Sequence, residues 1–354
     1  MSPMRACAER WRSLGRATVQ WEARSLSAFG DQPLEDIAGD YDLLVIDHPF
    51  CGRAAHTACL TPLDELLDAE MLAGLAAGAV GPSHDSYAHA GHQWGLATDA
   101  ACQVAAVRED LLPEDPTPRS WDEALDLATR RPGAVALPLS PPHAISSWLS
   151  IAGAHGGEPF ASDSGDARAT SILAGLARLG PREALGWEPP DALGRMTATD
   201  EIAYIPLTYG YSTYGTSAER PCRFCNVPAA WEGPRGAVLG GAGLAVSAAT
   251  AHPTEAAAFA AWASGAEAQH DIVARTGGQP GHRSAWDAPE LDALAGGFYS
   301  GTRASIEAAW VRPRDGWWPA FQLEAGQLLT DNLLDGDPDD LTGRLHELHR
   351  RHST

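Results

Sequence analysis

The strongest constraint on this chain is an alternation of two kinds of segment. Short, uninterrupted apolar runs are separated by longer stretches whose apolar residues recur at helical spacing. The runs are residues 41–46 (YDLLVI), 134–139, 202–207 and 237–246. Each is short and mostly free of polar alternation, which reads as a strand covered on both faces. Helices are expected over residues 3–14, where Met4, Cys7, Ala8, Trp11 and Leu14 share a face, and over 62–77, 143–154, 167–179, 190–196 and 254–269. Ser120-Trp121-Asp122-Glu123 has the form of a capping box opening a further helix. Residues 18–23 alternate like a strand, and 93–97 and 102–107 read as two strands flanking Thr98-Asp99-Ala100. Strands alternating with helices predict an α/β fold with a mostly parallel sheet. A length of 354 residues suits two lobes or one large α/β unit.

Charge narrows the partners. All 25 cationic residues are arginine, against 46 acidic residues, for a net charge of −21. Nucleic acid is excluded as a partner, because phosphate binding needs clustered cations, and an anionic membrane surface is disfavoured for the same reason. No stretch approaches the roughly 20 apolar residues of a membrane span, and the first 20 residues hold no apolar core of a signal peptide. The chain has 12 Trp and only 7 Phe, so flat apolar faces are plentiful, for the core or for a ligand such as a sugar.

Reactive-group motifs are sparse. Cys7, Cys51, Cys59, Cys102, Cys222 and Cys225 make no disulfide framework in a chain this long. Cys222-Arg223-Phe224-Cys225 has knuckle or redox spacing but lacks the second ligand pair of a zinc site; ordinary thiols and one local disulfide both remain open. His84, His89 and His92 are spaced i, i+5, i+8, which does not bring all three to one helix face. No phosphate loop or nucleophile elbow is present, and Gly240-Gly241-Ala242-Gly243 lacks the acidic partner of a dinucleotide site. No metal and no cofactor is expected.

Four ordered segments carry a resemblance. They are Tyr41-Asp42-Leu43-Leu44-Val45-Ile46-Asp47 followed by Leu60-Thr61-Pro62-Leu63-Asp64-Glu65-Leu66; His92-Gln93-Trp94-Gly95-Leu96-Ala97-Thr98-Asp99 with the strand after it; Pro118-Arg119-Ser120-Trp121-Asp122-Glu123-Ala124; and Gly240-Gly241-Ala242-Gly243-Leu244-Ala245-Val246-Ser247 with the helix that follows, through to Gly278-Gln279-Pro280. In order and spacing they resemble the extracellular solute-binding proteins of ABC transporters, family 1, the group that includes maltose-binding protein. The resemblance implies a type II periplasmic-binding-protein fold: two α/β lobes joined by crossing hinge strands, with ligand held in the cleft between them. Lobe one would take residues 1–107 and 244–310, and lobe two 108–243 and 311–354. Family members open on a signal peptide and an apolar first strand, whereas this sequence begins at what resembles helix one. The first strand of lobe one is therefore expected to be missing. The location would be extracytoplasmic if the true start lies upstream, and otherwise cytoplasmic.

The implied function is the non-catalytic, monomeric substrate-binding component of an importer, handing a small polar solute, a carbohydrate above all, to ABC permease subunits. Candidate ligand groups follow from the segments named. Asp47 and His48 end a buried strand, although Asp47 could instead cap the next helix. Asp99 stands where the family places a ligand-binding acid, or in a structural turn. Tyr209 and Tyr211, with Tyr214 beyond, lie past a lobe-two strand, and Gly278 and Gln279 lie in the loop after the long helix. Trp317 and Trp318 fall where relatives carry a stacking aromatic on lobe two, with core packing as the other role. Trp94, Trp121 and Trp262 are assigned to the core, and His143 reads as a helix cap more than a ligand group. The rival class is a cytoplasmic enzyme or ligand sensor on the same scaffold, with Asp47, His48 and Asp99 as acid/base groups, although no motif names a reaction.

Overall fold

The computed structural model describes residues 2–24, 32–112, 116–230, 233 and 235–353. Its strands are β1 (Leu43–Ile46), β2 (Leu60–Thr61), β3 (Ala88–His89), β4 (His92–Gln93), β5 (Leu96–Val107), β6 (Tyr204–Tyr209), β7 (Arg223–Cys225) and β8 (Leu239–Ser247). Three of the four apolar runs hold strands, and β1, β5 and β8 show how such strands are covered on both faces. β1 sends Leu43 and Val45 into one core and Leu44 and Ile46 into another; β8 divides Leu244 and Val246 from Ala245, and β5 divides Leu96 from Ala97, in the same way.

The chain forms two compact units. The first comprises Met1–Ala101, Gly240–Leu294 and Val311–Pro319; the second comprises Cys102–Leu239, Ala295–Trp310 and Ala320–Thr354. β5 leaves the first unit for the second after Ala101, and β8 returns before Gly240. These divisions differ from those read from sequence at 107, 243 and 310, and residues 295–310 and 311–319 fall in the units opposite to those expected. The reason is that each crossing strand is continuous. Of the two strands expected at 93–97 and 102–107, the end of the first and all of the second lie in one strand of 12 residues, Leu96–Val107, that runs straight through Asp99, so no turn marks the passage, while Gln93 belongs to β4.

In the first unit β1 and β2 pair with β8, from Leu43↔Val246 to Ile46↔Gly243 and at Leu60↔Ser247, and β3 and β4 form a hairpin. In the second, β6 and β7 pair with β5, with an irregularity between Val104 and Ala106. All five of these ladders are antiparallel, which corrects the expectation of a mostly parallel sheet. A run buried on both faces reports coverage and carries no information about strand direction. Parallel pairing is confined here to isolated bridges such as Val135↔Tyr204.

Other differences have local causes. Residues 18–23 form no strand; Val19 and Trp21 pack on the core while their neighbours face out, and the Trp21 indole N–H donates to Met4 O (3.0 Å). Residues 134–139 bridge to β6 only near Val135, because Pro138 has no N–H with which to extend a ladder. The helix expected over 62–77 is two pieces, Leu63–Glu65 and Ala69–Gly78, since Asp68 accepts the N–H of Met71 (2.7 Å) and starts the second as its cap. The helix expected over 254–269 is Pro253–Ser264, followed after Gly265 by one wide turn, Gln269–Val273. The capping box is present, with Ser120 and Glu123 exchanging bonds at the start of Trp121–Arg130. Trp94 and Trp121 are buried, and Trp262 packs partly buried on the first unit's core.

The second unit is built on the helix Pro141–Gly156, buried continuously from Ala144 to Ala154. Its Trp148 indole donates to Thr170 Oγ1 (2.8 Å) on the helix Asp163–Leu179, and Thr342 on Pro338–Ser353 donates to the same oxygen (2.7 Å). Among the described residues no helix is long and apolar enough to cross a membrane.

Two glycines test the packing. Gly241 in β8 has φ +107°, and a Cβ there would sit 2.3 Å from Asp99 O, whereas Gly74 on the helix Ala69–Gly78 has open space around it. Gly241→Ala is expected to cost about 1–3 kcal/mol. Gly74→Ala is expected to add about 0.5–1 kcal/mol. Urea unfolding of both variants checks the pair of opposite signs.

Candidate functional site

In the first unit, β1 delivers Asp47 and His48. Asp47 leaves the strand extended, and its Oδ1 accepts the His48 N–H (2.9 Å), capping the turn His48–Phe50. The capping role is therefore present, and the same carboxylate is also held by Arg312, whose Nη2 lies 2.8 Å from each oxygen. Burial acts to raise the Asp47 carboxyl, but the Arg312 charge and then the His48 side chain hold it down at about 2. His48 is fully buried, its Nδ1 3.2 Å from Asp47 Oδ1 and its ring edge-on to Tyr87 at 6.2 Å. Burial above all, then the charge of Arg312, pushes its imidazole down to about 4, so it is neutral at pH 7. Neither Arg312 nor Tyr87 was legible in the sequence. Val311-Arg312-Pro313 matches no motif, and the pairing joins positions 265 residues apart.

Asp99 lies on β5, partly buried, and faces a loop placed by a residue that sequence reasoning also missed. Gln269 is fully buried; its Nε2 donates to Ala263 O (2.7 Å) and Thr98 O (3.3 Å), and its Oε1 accepts the Gly281 N–H (2.7 Å). The loop so anchored brings Gln279 against β5. Ala100 N donates to Gln279 O (2.9 Å), and the Gln279 N–H bonds the Asp99 carboxylate. Burial pushes the Asp99 carboxyl up to about 7 in spite of that bond. The Gln279 side chain is 7% exposed, and its Oε1 has no hydrogen-bond partner among the described residues. Gly278 precedes it, its own N–H donating to Val273 O (2.9 Å).

In the second unit, β6 delivers Tyr209. Gly210 follows where a Cβ would meet the Phe298 ring at 2.7 Å and Val104 at 2.9 Å, so any other residue between Tyr209 and Tyr211 would force these side chains to shift. The Tyr209 ring stands edge-on to His143 (5.8 Å), near the start of the helix Pro141–Gly156. His143 Nε2 lies 2.6 Å from Glu188 Oε2, and Ser140 Oγ donates to Glu188 Oε1 (2.7 Å). The His143 bond is the main cause of a Glu188 carboxyl lowered from its ordinary value. Tyr211 packs edge-on to Tyr214 (6.5 Å), whose hydroxyl donates to Pro190 O (3.3 Å). Tyr209, His143, Glu188 and Ser140 thus form one polar-aromatic group; Glu188 gave no sequence signal, because its role depends on a partner 45 residues away.

Trp317 and Trp318 stack edge-to-face at 5.5 Å in the segment assigned to the first unit. Trp318 is buried and opens the helix Trp318–Asn332, while Trp317 stays partly exposed. All six cysteines are free thiols; burial pushes Cys222 up to about 12 and Cys225 up to about 11, so neither is a thiolate at neutral pH. His92 pairs with Asp64 (2.8 Å), and among the described residues no group of three or more His, Cys, Asp or Glu is placed to hold a metal ion.

The two aspartates predict opposite pH effects on stability. Asp47 is depressed, so its contribution is complete above the unfolded value of about 3.8 and is lost as pH falls toward 2. Arg312→Ala strands that carboxylate and is expected to cost about 3–5 kcal/mol at pH 7, with a smaller gap from wild type at pH 3 in urea unfolding. Asp99 is raised, so its contribution is complete below about 3.8 and is lost as pH rises through 7. Asp99→Asn is therefore expected to raise Tm at pH 8, by about 2–4 °C for each kcal/mol recovered, and to leave it unchanged at pH 4.

No curated protein sequence matches the chain. Among solved structures, maltose-bound MalE3 of T. maritima matches with a TM-score of 0.83 at 17% identity, covering 99% of this chain and 96% of that one. An ABC transporter solute-binding protein of Agrobacterium radiobacter K84, in complex with ribitol, matches at 0.80 and 18%, covering 98% and 94%. The GacH receptor of Streptomyces glaucescens matches at 0.79 and 16%, covering 99% and 94%. At such identities the likeness establishes the fold, that of the two-lobed periplasmic binding proteins. The sequence profile described as bacterial extracellular solute-binding protein matches residues 30–298, well over half of the chain. The chain belongs to the family of bacterial extracellular solute-binding proteins.

Proposed function

We propose that this chain is the substrate-binding component of an ABC importer and captures a small polar solute, a sugar or polyol, by hinge closure. The observation that carries the reading is Gln279 Oε1, a buried acceptor with no hydrogen-bond partner among the described residues, one peptide contact from the Asp99 carboxyl. A buried polar atom left without a partner costs about 1–3 kcal/mol, and a solute hydroxyl satisfies it. Tyr209 and Tyr211 on the second unit offer aromatic edges and hydroxyls suited to the same ligand class. The family supports solute binding, and structural neighbours bind maltose, ribitol and D-mannitol. The strands β5 and β8, which pass between the units, would supply the hinge. A ligand held by groups of both units favours the closed state by its differential affinity, and permease subunits would read that state. The proposed location is extracytoplasmic, as the family description suggests. The reading is of a binder, since the Asp47 carboxylate is held by Arg312 and His48 is buried and neutral, which does not suit the pair to acid/base work.

Thermal unfolding with a panel containing maltose, ribitol and D-mannitol tests this. A solute at 100 times its Kd adds about 2.7 kcal/mol to the native state, so Tm is expected to rise by several degrees for at least one member. Tyr209→Ala and Trp317→Ala are each expected to weaken that solute by about 0.5–1.5 kcal/mol for a stacking ring. A panel without any shift contradicts the proposal, and consumption of the solute during incubation contradicts the non-catalytic reading.

A further inference from the structure

Two helix starts meet in the second unit. Ser140 opens the helix Pro141–Gly156, and Glu188 opens the helix Pro189–Ala198, where its own N–H donates to Asp191 Oδ2 (2.9 Å). Backbone bonds hold the two starts together: Leu139 N donates to Ala184 O (2.9 Å), and Ser140 N to Trp187 O (3.2 Å). Across this junction the Glu188 carboxylate uses both of its oxygens. Oε1 takes the Ser140 hydroxyl at 2.7 Å, and Oε2 lies 2.6 Å from His143 Nε2. A carboxylate only accepts, so Nε2 carries the ring proton in that bond. His143 Nδ1 is thereby the acceptor of the neutral ring. It is buried and has no hydrogen-bond partner among the described residues. The His143 side chain is 13% exposed against 43% for Glu188, and the Tyr209 ring stands edge-on to it at 5.8 Å.

One nitrogen of His143 is therefore structural and the other is unused. A buried acceptor without a partner carries a desolvation cost that an arriving donor removes. A solute hydroxyl supplies that donor, and the Tyr209 ring beside it offers an aromatic surface to the same solute. A solute carboxylate does not fit, because it only accepts and would meet a lone pair with the Glu188 charge behind it. We propose that His143 is a solute-contacting residue of the second unit: its Nδ1 accepts a hydroxyl of an uncharged sugar or polyol, and Glu188 and Ser140 are positioning residues that fix the tautomer and orientation of its ring. This rests on the reading of the chain as a sugar or polyol binder, and adds to it a residue that the sequence marks only as a helix cap. Recognition then depends on which nitrogen holds the proton. A ring turned over, or with its proton on Nδ1, has no lone pair at that place.

The two nitrogens can be tested apart. Asn places its amide oxygen at the level of Nδ1, whereas Gln places its amide nitrogen at the level of Nε2. Isothermal titration calorimetry of the full chain with maltose, ribitol and D-mannitol at pH 7.5 reads the solute contact, and thermal unfolding without solute reads the bond to Glu188. For the solute that binds, His143→Ala and His143→Gln are each expected to weaken affinity about tenfold, and His143→Asn by about threefold or less. Tm is expected to follow the opposite order, with His143→Gln nearer wild type than His143→Asn. The ring 15N spectrum of wild type, with the His143 signals identified by their loss in His143→Gln, should show the Nε2–H tautomer. Glu188→Gln, whose amide both donates and accepts, should mix the two tautomers and weaken the solute. If the Ala or Asn variant does not fold, His143→Gln decides alone. Affinity that His143→Gln retains, or that His143→Asn loses as fully as His143→Ala does, overturns the contact at Nδ1 and leaves the binding function standing. A ring proton on Nδ1 in wild type overturns the positioning role of Glu188. Absence of binding by all three solutes to wild type overturns the contact and the functional reading together.

Discussion

The first unit is organised around one uncharged buried side chain. The Gln269 amide ties the end of the helix Pro253–Ser264, the strand β5 and the loop before Arg283 through three hydrogen bonds of 2.7–3.3 Å. It can do so because the helix breaks at Gly265, resumes over Ala266–Ala268 and then widens into the turn Gln269–Val273. Each such bond contributes about 0.5–1.5 kcal/mol when made, and leaving its partner buried and unpaired costs about 1–3 kcal/mol. The placement of Gln279 on Asp99 and Ala100 follows from that amide, because the loop carrying Gln279 is held at Gly281. Pro280 O adds a second anchor by accepting the Trp286 indole N–H (2.7 Å).

The same unit then separates two carboxyls by environment. Asp47 meets a buried guanidinium and stays ionised to about 2, whereas Asp99 meets only a backbone N–H and stays protonated to about 7. One is a fixed part of the scaffold, the other a group whose charge responds to the medium. Arg312 makes this division: a single buried cation, engaged by both oxygens of one aspartate, leaves the other without compensation. His48, buried and edge-on to Tyr87, is neutral for the same reason of burial.

The sequence made the strand–helix alternation, the capping box at Ser120 and the family legible, because all three rest on local patterns of a few residues. Asp99, Gln279 and Tyr209 could be named as candidates because they sit at the ends of such patterns. Arg312, Glu188, Tyr87 and Gln269 could not. Their roles come from partners up to 265 residues away, and an arginine or glutamine in a helix or loop has no local signature of burial. Strand direction was misread for a related reason, since coverage of both faces looks the same whichever way the neighbour runs. The crossing of β5 between units was hidden because the strand continues through it without a turn.

In the second unit Tyr209, His143 and Glu188 form a fixed group, with Gly210 allowing the backbone to pass close against the Phe298 ring. The function proposed above requires a small polar solute to engage the Asp99–Gln279 pair and, if capture is by hinge closure, a group of the second unit such as this one. Hydrogen–deuterium exchange, with and without a solute that raises Tm, tests it most directly. The account predicts joint slowing of exchange in peptides spanning 96–101, 277–281 and 204–211. Slowing confined to one unit, or none in 277–281, would contradict it.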